Sequence, residues 1–469
     1  MSVPTRPETA SPPVLVPSSG LAPAPSDDEL LERRDHRWID RWEPEDPQFW
    51  DAVGKKTAKR NLIFSILSEH VGFSVWVIWS VMVLFMPEPV WGFSVTDKFL
   101  LTTTPALLGS LVRLPYTFAI AKFGGRNWTV VSAALLLVPA FVAIFLLEPG
   151  VSFGTLLVVT AIAGVGGGNF ASSMANINNF YPQHLKGRAL GLNAGGGNLG
   201  VAVVQIIGAL VLFSNGPKTD PRVMLYIYIP LLLLCTTLAW TQMDNLTMAK
   251  KDKGALRAVA KHKHTAIISF LYIGTFGSFI GFGFAFGQVL AAAGAERPIY
   301  YVWLGALAGS LIRPIGGMLA DRYKGSTVSF WNFIAMIVAA VVVAFAADSG
   351  SIPLLATSFT VLFMLTGLGN GSVYKMIPAI FYAESLQGGS DSGARTAQQD
   401  RRLASALVGL AGAVGAFGGV LVQVAFRQSF LSYGNGSAAY LGFIVFYIAC
   451  AIVTWAVYMR PSAGRLEGV

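Results

Sequence analysis

Two arginines stand where arginine is costly. Arg113, in "GSLVRLP" (109–115), lies inside the apolar run "FLLTTTPALLGSLVRLPYTFAIA", and Arg313, in "GSLIRPI" (309–315), lies inside another run of the same kind. In a helix each would sit about 14 residues, or about 20 Å, from the start of its run. That is too deep for the guanidinium to snorkel to an interface. A charged side chain at the centre of an apolar span costs about 3 kcal/mol or more, so it normally faces a cavity and has a partner. The spans offer almost no Asp or Glu to supply one, Glu69 being the exception. Two equivalent arginines with few acids leave a net positive pocket that suits an anion; a structural ion pair is the alternative. Guanidinium presents a planar fork of donors, which matches a planar oxyanion.

Three further ionisable groups lie in apolar surroundings. Glu69 and His70, in "LSEHVGF", and Lys375, in "GLGNGSVYK", are candidates to bind a proton beside that pocket, a coupling role if the anion is moved. Were it moved across a barrier, a pocket holding only arginines would return empty with difficulty, because unpaired charges must then cross; that favours exchange of one anion for another. A protonatable neighbour would permit symport. The bland alternatives are a salt bridge for Glu69, about 12 Å into its helix, and snorkelling for Lys375. Neighbouring side chains on a helix point about 100° apart, so Glu69 and His70 do not form an acid–base pair across a cleft. With no nucleophile or metal cluster elsewhere, an enzyme is not expected. Asparagines Asn169, Asn176, Asn178, Asn193 and Asn198 stand among glycine tracts, where amides can bond a ligand without adding charge.

The chain that must position these groups is 469 residues long, 54% hydrophobic and 13% charged. Soluble domains carry roughly a quarter charged residues, and a membrane-crossing helix needs about 20 apolar residues in succession. Twelve such runs are read at roughly 61–86, 99–121, 127–147, 154–180, 187–213, 222–242, 264–291, 298–320, 327–347, 352–382, 399–430 and 437–460. Lipid cannot satisfy backbone polar groups, so each must be helical. The net charge of +9 does not point to nucleic acid, since the basic residues gather before the first run (Arg33, Arg34, Arg37, Arg41, Lys55, Lys56, Lys59, Arg60) and between the sixth and seventh (Lys250, Lys251, Lys253, Arg257, Lys261, Lys263). By the positive-inside rule both termini and the central loop face the cytoplasm. The Pro- and Ser-rich start reads as a disordered tail without a signal peptide, and Cys235 and Cys450 read as packing residues.

The two halves resemble each other. "GSLVRLP" matches "GSLIRPI", "GLNAGGGNLGVAVVQ" (191–205) matches "GLAGAVGAFGGVLVQ" (409–423), and "GVGGGNFAS" has a looser partner in "GLGNGSVYK". Duplicated six-helix halves predict an all-α membrane protein with the major facilitator fold. Its parts are a disordered cytoplasmic N-terminal segment (1–55), a six-helix half (56–243), a cytoplasmic linker (244–263), a second six-helix half (264–460) and a cytoplasmic tail (461–469). "GGMLADRYKG" (316–325) resembles that superfamily's loop motif, and "AIAKFGGRNW" is its degenerate counterpart. Pseudo-twofold symmetry places Arg113 and Arg313 across a midplane cavity from each other.

Longer stretches are more specific. "GGGNFASSMANINNFYP…KGRALGLNAGGGNLGVAVVQ" and "GLGNGSVYKMIPAIF" resemble the two nitrate signatures of the nitrate/nitrite porter family. "RNLIFSILSEHVGFSVW", "FGGRNWT", "LYIGTFGSFIGFGF" and "IVFYIACAIVTWAVY" also read like it, so the similarity spans about residues 55 to 460. The resemblance implies a multi-pass carrier of the cytoplasmic membrane that moves nitrate and nitrite by alternating access, in exchange or with protons, as a monomer without cofactor or metal. A non-transporting nitrate sensor is a distant alternative. It also implies roles: Arg113 and Arg313 clamp the anion, Tyr272 donates to it, Phe170 and Phe276 wall it, and Asn198 supplies an amide near it.

Overall fold

The computed structural model describes residues 27–35, 37–216, 218–248, 255–387, 397–461, 466 and 468–469. Apolar sequence that cannot expose its backbone to lipid forms helices throughout. Eleven helices are long and apolar enough to span a membrane: α1 (Pro47–Phe85), α3 (Gly125–Leu146), α4 (Phe153–Phe180), α5 (Gln183–Asn215), α6 (Arg222–Gln242), α7 (Lys263–Ala292), α8 (Ile299–Tyr323), α9 (Gly325–Asp348), α10 (Ile352–Leu386), α11 (Arg402–Tyr433) and α12 (Ser437–Met459). The remaining one, α2, is a pair, Val95–Leu111 and Arg113–Phe123, bent by 42°. Counted as one span it brings the total to twelve. The bend has a local cause. Pro115 cannot donate to the carbonyl of Leu111, and its ring crowds that carbonyl, so the helix breaks there. Arg113 is thereby the first residue of the second segment.

Glycine sets how closely the helices pack around the centre. The turn Gly164–Gly168 of α4 is a tight 3-10 segment. A methyl group built on Gly167 would lie 2.8 Å from the Cα of Gly109 in α2 and 2.6 Å from the Trp76 ring in α1, so α1, α2 and α4 meet only because these positions lack side chains. In the second half the Cα of Gly418 in α11 would lie 2.7 Å from a methyl on Gly277 in α7.

The two halves are tied on the side of the membrane away from the termini. Gln205 Nε2 (α5) donates to the Gly283 carbonyl (α7) at 3.0 Å across the halves, and Gln423 Nε2 (α11) is fixed within the second half by the Gly281 carbonyl of α7 at 2.7 Å. Thr102 (α2) links Gln423 and Gln288 (α7), both at 3.0 Å. On the other side, side chains added at Gly187, Gly191, Gly195 and Gly409 would meet nothing within 4 Å.

The expected disorder over residues 1–55 is corrected from residue 27 onward; residues 1–26 lie outside the described residues. The segment 27–54 is folded against the ends of α1, α4, α5 and α6. Strand β1 (Arg33–Asp35) pairs antiparallel with β2 (Trp38–Ile39), and β2 pairs parallel with β3 (Asn245–Leu246), directly after α6. Leu31, Ile39, Trp42, Phe49 and Trp50 form a small core with Phe180 and Leu246, and Trp42 Nε1 donates to the Asn179 carbonyl at 3.1 Å. Beneath it Asp244 is fully buried and accepts from Arg33 Nη1 at 2.8 Å, Arg60 Nη2 at 2.5 Å and Asn61 Nδ2 at 2.9 Å. Aromatic anchors and a buried carboxylate thus override a basic, polar composition. The linker expected at 244–263 likewise begins as packed structure, while 249–254 lie outside the described residues.

Breaking a buried ion cluster by removing one partner typically costs about 3–5 kcal/mol. Asp244→Asn is therefore expected to lower the melting temperature of the detergent-solubilised protein and to speed proteolytic cleavage within residues 27–54. An unchanged melt and cleavage pattern would show that the cluster does not hold the segment.

Candidate functional site

Arg113 and Arg313 converge in the middle of the molecule, on α2 and α8, and both are buried, with 0% and 8% of their surface exposed. Neither is ion-paired among the described residues. Arg113 Nη1 donates across the interface between the halves to the Gly412 carbonyl of α11 at 3.0 Å, while its Nε and Nη2 are buried without partners. Arg313 Nη2 donates to the Tyr272 hydroxyl at 3.1 Å, and its Nη1 is buried without a partner.

Aromatic rings, rather than a carboxylate, surround the positive charge. The Arg113 guanidinium carbon lies 4.9 Å from the Phe170 ring centroid, 5.2 Å from Phe276, 5.5 Å from Trp76 and 5.9 Å from Phe73. Arg313 lies 5.5 Å from the Tyr374 ring. Desolvated cation–π contacts contribute about 2 kcal/mol each at best, which offsets part of the burial cost without using the N–H donors. Phe170 and Phe276 approach to 5.8 Å between centroids across the two halves, Tyr272 stacks on Phe276 at 5.1 Å, and Tyr374 faces Tyr272 at 5.5 Å. Of the six residues expected at the anion site, five lie in one contiguous cluster: Arg113, Arg313, Tyr272, Phe170 and Phe276.

Local backbone places these rings. Residues Ile273–Gly277 of α7 form a π turn that begins directly after Tyr272 and contains Phe276. Such bulges insert a residue into the helical repeat and frequently occur at functional sites. Gly415 of α11 makes room for Tyr272, whose ring would lie 2.5 Å from any side chain there.

Asn198 is fully buried, and neither its amide nitrogen nor its oxygen has a partner. Buried amides left unbonded are rare, which marks it as a group with bonding capacity to spare. Asn370 in α10 has the same two properties. It lies one helical turn before Tyr374, on the same face. Asn370 and Tyr374 lie within the second signature-like segment, where no local feature distinguishes either from its neighbours. The signal for Phe73 and Trp76 is internal symmetry: in α1 they correspond to Phe276 and Phe279 of α7, at equal spacing. The packing agrees, since Gly109 abuts Trp76 as Gly309 abuts Phe279.

The three coupling candidates separate. Glu69 is 1% exposed; its Oε2 accepts from Ser173 Oγ and, at 2.7 Å, from Asn193 Nδ2, while Oε1 has no partner. It lines a cavity of about 10 Å³ with Ser65, Thr129, Ser132 and Asn169, room for about one water. By the same repeat it occupies in α1 the place of Tyr272 in α7. His70 points elsewhere, its Nδ1 donating to the Gly196 carbonyl at 3.0 Å. Lys375 is apart from the arginines. Its Nζ pairs at 2.8 Å with Asp321 of the "GGMLADRYKG" motif, and the two side chains are 47% and 60% exposed. Its length carries the charge out of the apolar region, as snorkelling predicts.

Comparison with known proteins adds independent findings. Residues 70–397 match the family model described as Major Facilitator Superfamily. The chain is 35% identical over 456 residues to the nitrate/nitrite transporter NarU of Escherichia coli strain K12, covering 92% of this chain and 98% of that one. It is 31% identical over 463 residues to the probable nitrate/nitrite antiporter NarK2 of Thermus thermophilus, covering 93% and 100%. Among solved structures, a D-xylose–proton symporter superposes with a TM-score of 0.63 at 16% identity, over 85% of this chain and 97% of that one. The nucleoside transporter NupG superposes at 0.59 with 12% identity, over 85% and 98%, a likeness of fold alone. With twelve spans in two halves, a central pair of buried guanidinium groups and relatives matched end to end, the chain belongs to the major facilitator superfamily and, within it, to the nitrate/nitrite porter family.

Proposed function

We propose that this protein carries nitrate and nitrite across the cytoplasmic membrane by alternating access, chiefly by exchanging one for the other, with both termini in the cytoplasm. One observation carries the reading: two buried guanidinium groups, one from each half, keep N–H donors unbonded and form no ion pair with an acid among the described residues. A small planar anion satisfies both deficits. Its oxygens accept from Arg113 Nε and Nη2 and from Arg313 Nη1, and its charge offsets the arginines'. Phe170 and Phe276 cover its faces, Tyr272 is the neutral donor beside it, and Asn198 and Asn370 add amide donors.

Access follows from the asymmetry of the halves' contacts. The Gln205–Gly283, Thr102–Gln423 and Thr102–Gln288 bonds close the halves on the side away from the termini, while glycines of α5 and α11 border open space on the other. Rocking about the arginine site would break the first set and bring the glycine faces together. The basic residues flanking α1, and Arg257, Lys261 and Lys263 before α7, orient that open side to the cytoplasm.

A second reading, nitrate–proton symport, is favoured by the buried carboxylate of Glu69. Flux into proteoliposomes separates the two. Exchange requires nitrite or nitrate on the opposite side and is indifferent to a pH gradient; symport fills nitrite-free vesicles when protons flow inward. The absence of any nitrate flux under either condition would refute transport and leave a sensor.

Arg113→Lys keeps the charge and loses the fork. Nitrate affinity is expected to fall by about tenfold or more, since 1.4 kcal/mol corresponds to a factor of ten; unchanged affinity by titration would refute the clamp. Asn370→Ala removes a donor to an anion, a bond typically worth about 1.5–3 kcal/mol. Its nitrate KM should rise with the melting temperature retained, and an unaltered KM would exclude Asn370 from the site.

A further inference from the structure

The environment of Glu69 contains one hydrogen-bond conflict. The Ser173 hydroxyl lies within bonding reach of Glu69 Oε2 and of the Phe170 carbonyl, while Asn193 Nδ2 donates to it at 2.9 Å. A hydroxyl has one proton to give. If Glu69 is ionised, that proton cannot serve both acceptors. If Glu69 is protonated, its O–H donates to Ser173 and Ser173 donates to Phe170, so each proton has its own acceptor, with Oε1 still unbonded. The remaining cavity walls are hydroxyl and amide groups of α1, α3 and α4, so no cation holds the carboxylate in place.

The charged and titratable groups that bear on Glu69 come from other helices. They are Arg113 of α2, Arg313 of α8 and Tyr374 of α10; its own helix contributes the adjacent His70, bonded to α5. The groups donating to it from α4 and α5, Ser173 and Asn193, are neutral. In the second half Tyr272, its counterpart in the repeat, bonds Arg313 directly. Glu69 makes no such bond to Arg113, although its Oε1 and the Arg113 Nε and Nη2 are all buried without partners.

We propose that Glu69 is a proton-binding site acting as a switchable counter-ion to Arg113. Ionised, it pairs with that guanidinium when no anion is held; protonated, it stays in the hydroxyl-lined cavity and leaves the guanidinium to the anion. The proposal rests on the anion-carrier reading and assigns its coupling ion. The proton comes from the aqueous side facing the open cavity, adds to the carboxylate as the Glu69–Arg113 pair opens, and leaves when the pair re-forms. Charge is the reason the scheme works. Two arginines with an ionised Glu69 carry one net positive charge, and so do two arginines with a neutral Glu69 and a monovalent anion. Both the empty and the loaded carrier then cross the membrane interior with equal charge, and neither exposes an uncompensated second cation to low dielectric. Anion exchange is the same cycle run without the empty step, with Glu69 protonated throughout.

Two measurements on the full chain test this. In nitrite-free proteoliposomes an inward proton gradient should drive nitrate accumulation, with acidification of the lumen reported by a trapped dye. Glu69→Gln should reduce that accumulation by about tenfold or more, corresponding to 1.4 kcal/mol of lost coupling, while nitrate–nitrite counterflow continues. Gradient-driven accumulation that persists in Glu69→Gln, or is absent from the wild type, overturns the proposal. Counterflow in the wild type is the separate control: its loss would sink the anion-carrier reading instead. Should the variant fail to fold, calorimetric titration of the wild type with nitrate in buffers of different ionisation enthalpy decides. Proton uptake on the order of one per nitrate in mildly alkaline buffer is expected, and no uptake across the pH range overturns the assignment.

Discussion

A guanidinium buried in hydrocarbon must have its charge and its donors answered, and the rest of this structure is arranged around two of them. Arg113 and Arg313 are buried, and no carboxylate among the described residues is paired with either. What they receive instead is partial: ring faces that stabilise the charge, and one backbone or phenol acceptor each. An aromatic face cannot accept several N–H bonds, so the compensation stops short of completion. A buried arginine fully satisfied by an acid would be structural and inert. One left short by a few bonds and part of a charge has free energy to offer an anion that completes them, which is what supports the proposed binding role.

The glycine content follows from the same constraint. Rings and guanidinium groups are large, and bringing several of them to a common point requires the backbones behind them to come close. Gly109, Gly164 and Gly167 allow α1, α2 and α4 to meet behind Trp76, and Gly277, Gly415 and Gly418 do the same for α7 and α11 behind Tyr272. Pro115 contributes by breaking α2 beside Arg113. Faces so free of side chains can also shift past one another with little collision, so the packing that builds the site suits a molecule whose halves rock.

The folded segment at 27–54 binds together the terminal-side ends of four helices of the first half. A β-bridge to the residues after α6 and a buried Asp244 cluster make that half a tied unit at its terminal end. The corresponding place in the second half is held differently, by the Lys375–Asp321 pair at the protein surface and by the Ser326 hydroxyl donating to the Val469 carbonyl at 2.6 Å. The symmetry of the spans is therefore not carried into their ends.

Much of this protein is determined by residue type and spacing. Lipid forces apolar runs into helices, so the spans, their duplication and the positions of Arg113 and Arg313 in them follow from sequence, and the family motifs add Tyr272, Phe170, Phe276 and Asn198. Tertiary structure decided what depends on relative placement. A carboxylate at position 69 reads as a salt bridge or as a coupling group; the structure bonds it to the neutral Ser173 and Asn193, with no salt bridge among the described residues. Lys375 reads as a coupling group or as a snorkelling cation until Asp321, 54 positions away, is found beside it. Asn370 is one amide among many until both its polar atoms prove buried and unbonded. The polar segment at 27–54 looks disordered because its core is completed by Phe180 and Leu246, which lie far along the chain. Local sequence fixes the helix and the type of group it carries; which groups end up paired, and which are left wanting a partner, is set by contacts between segments that no local pattern encodes.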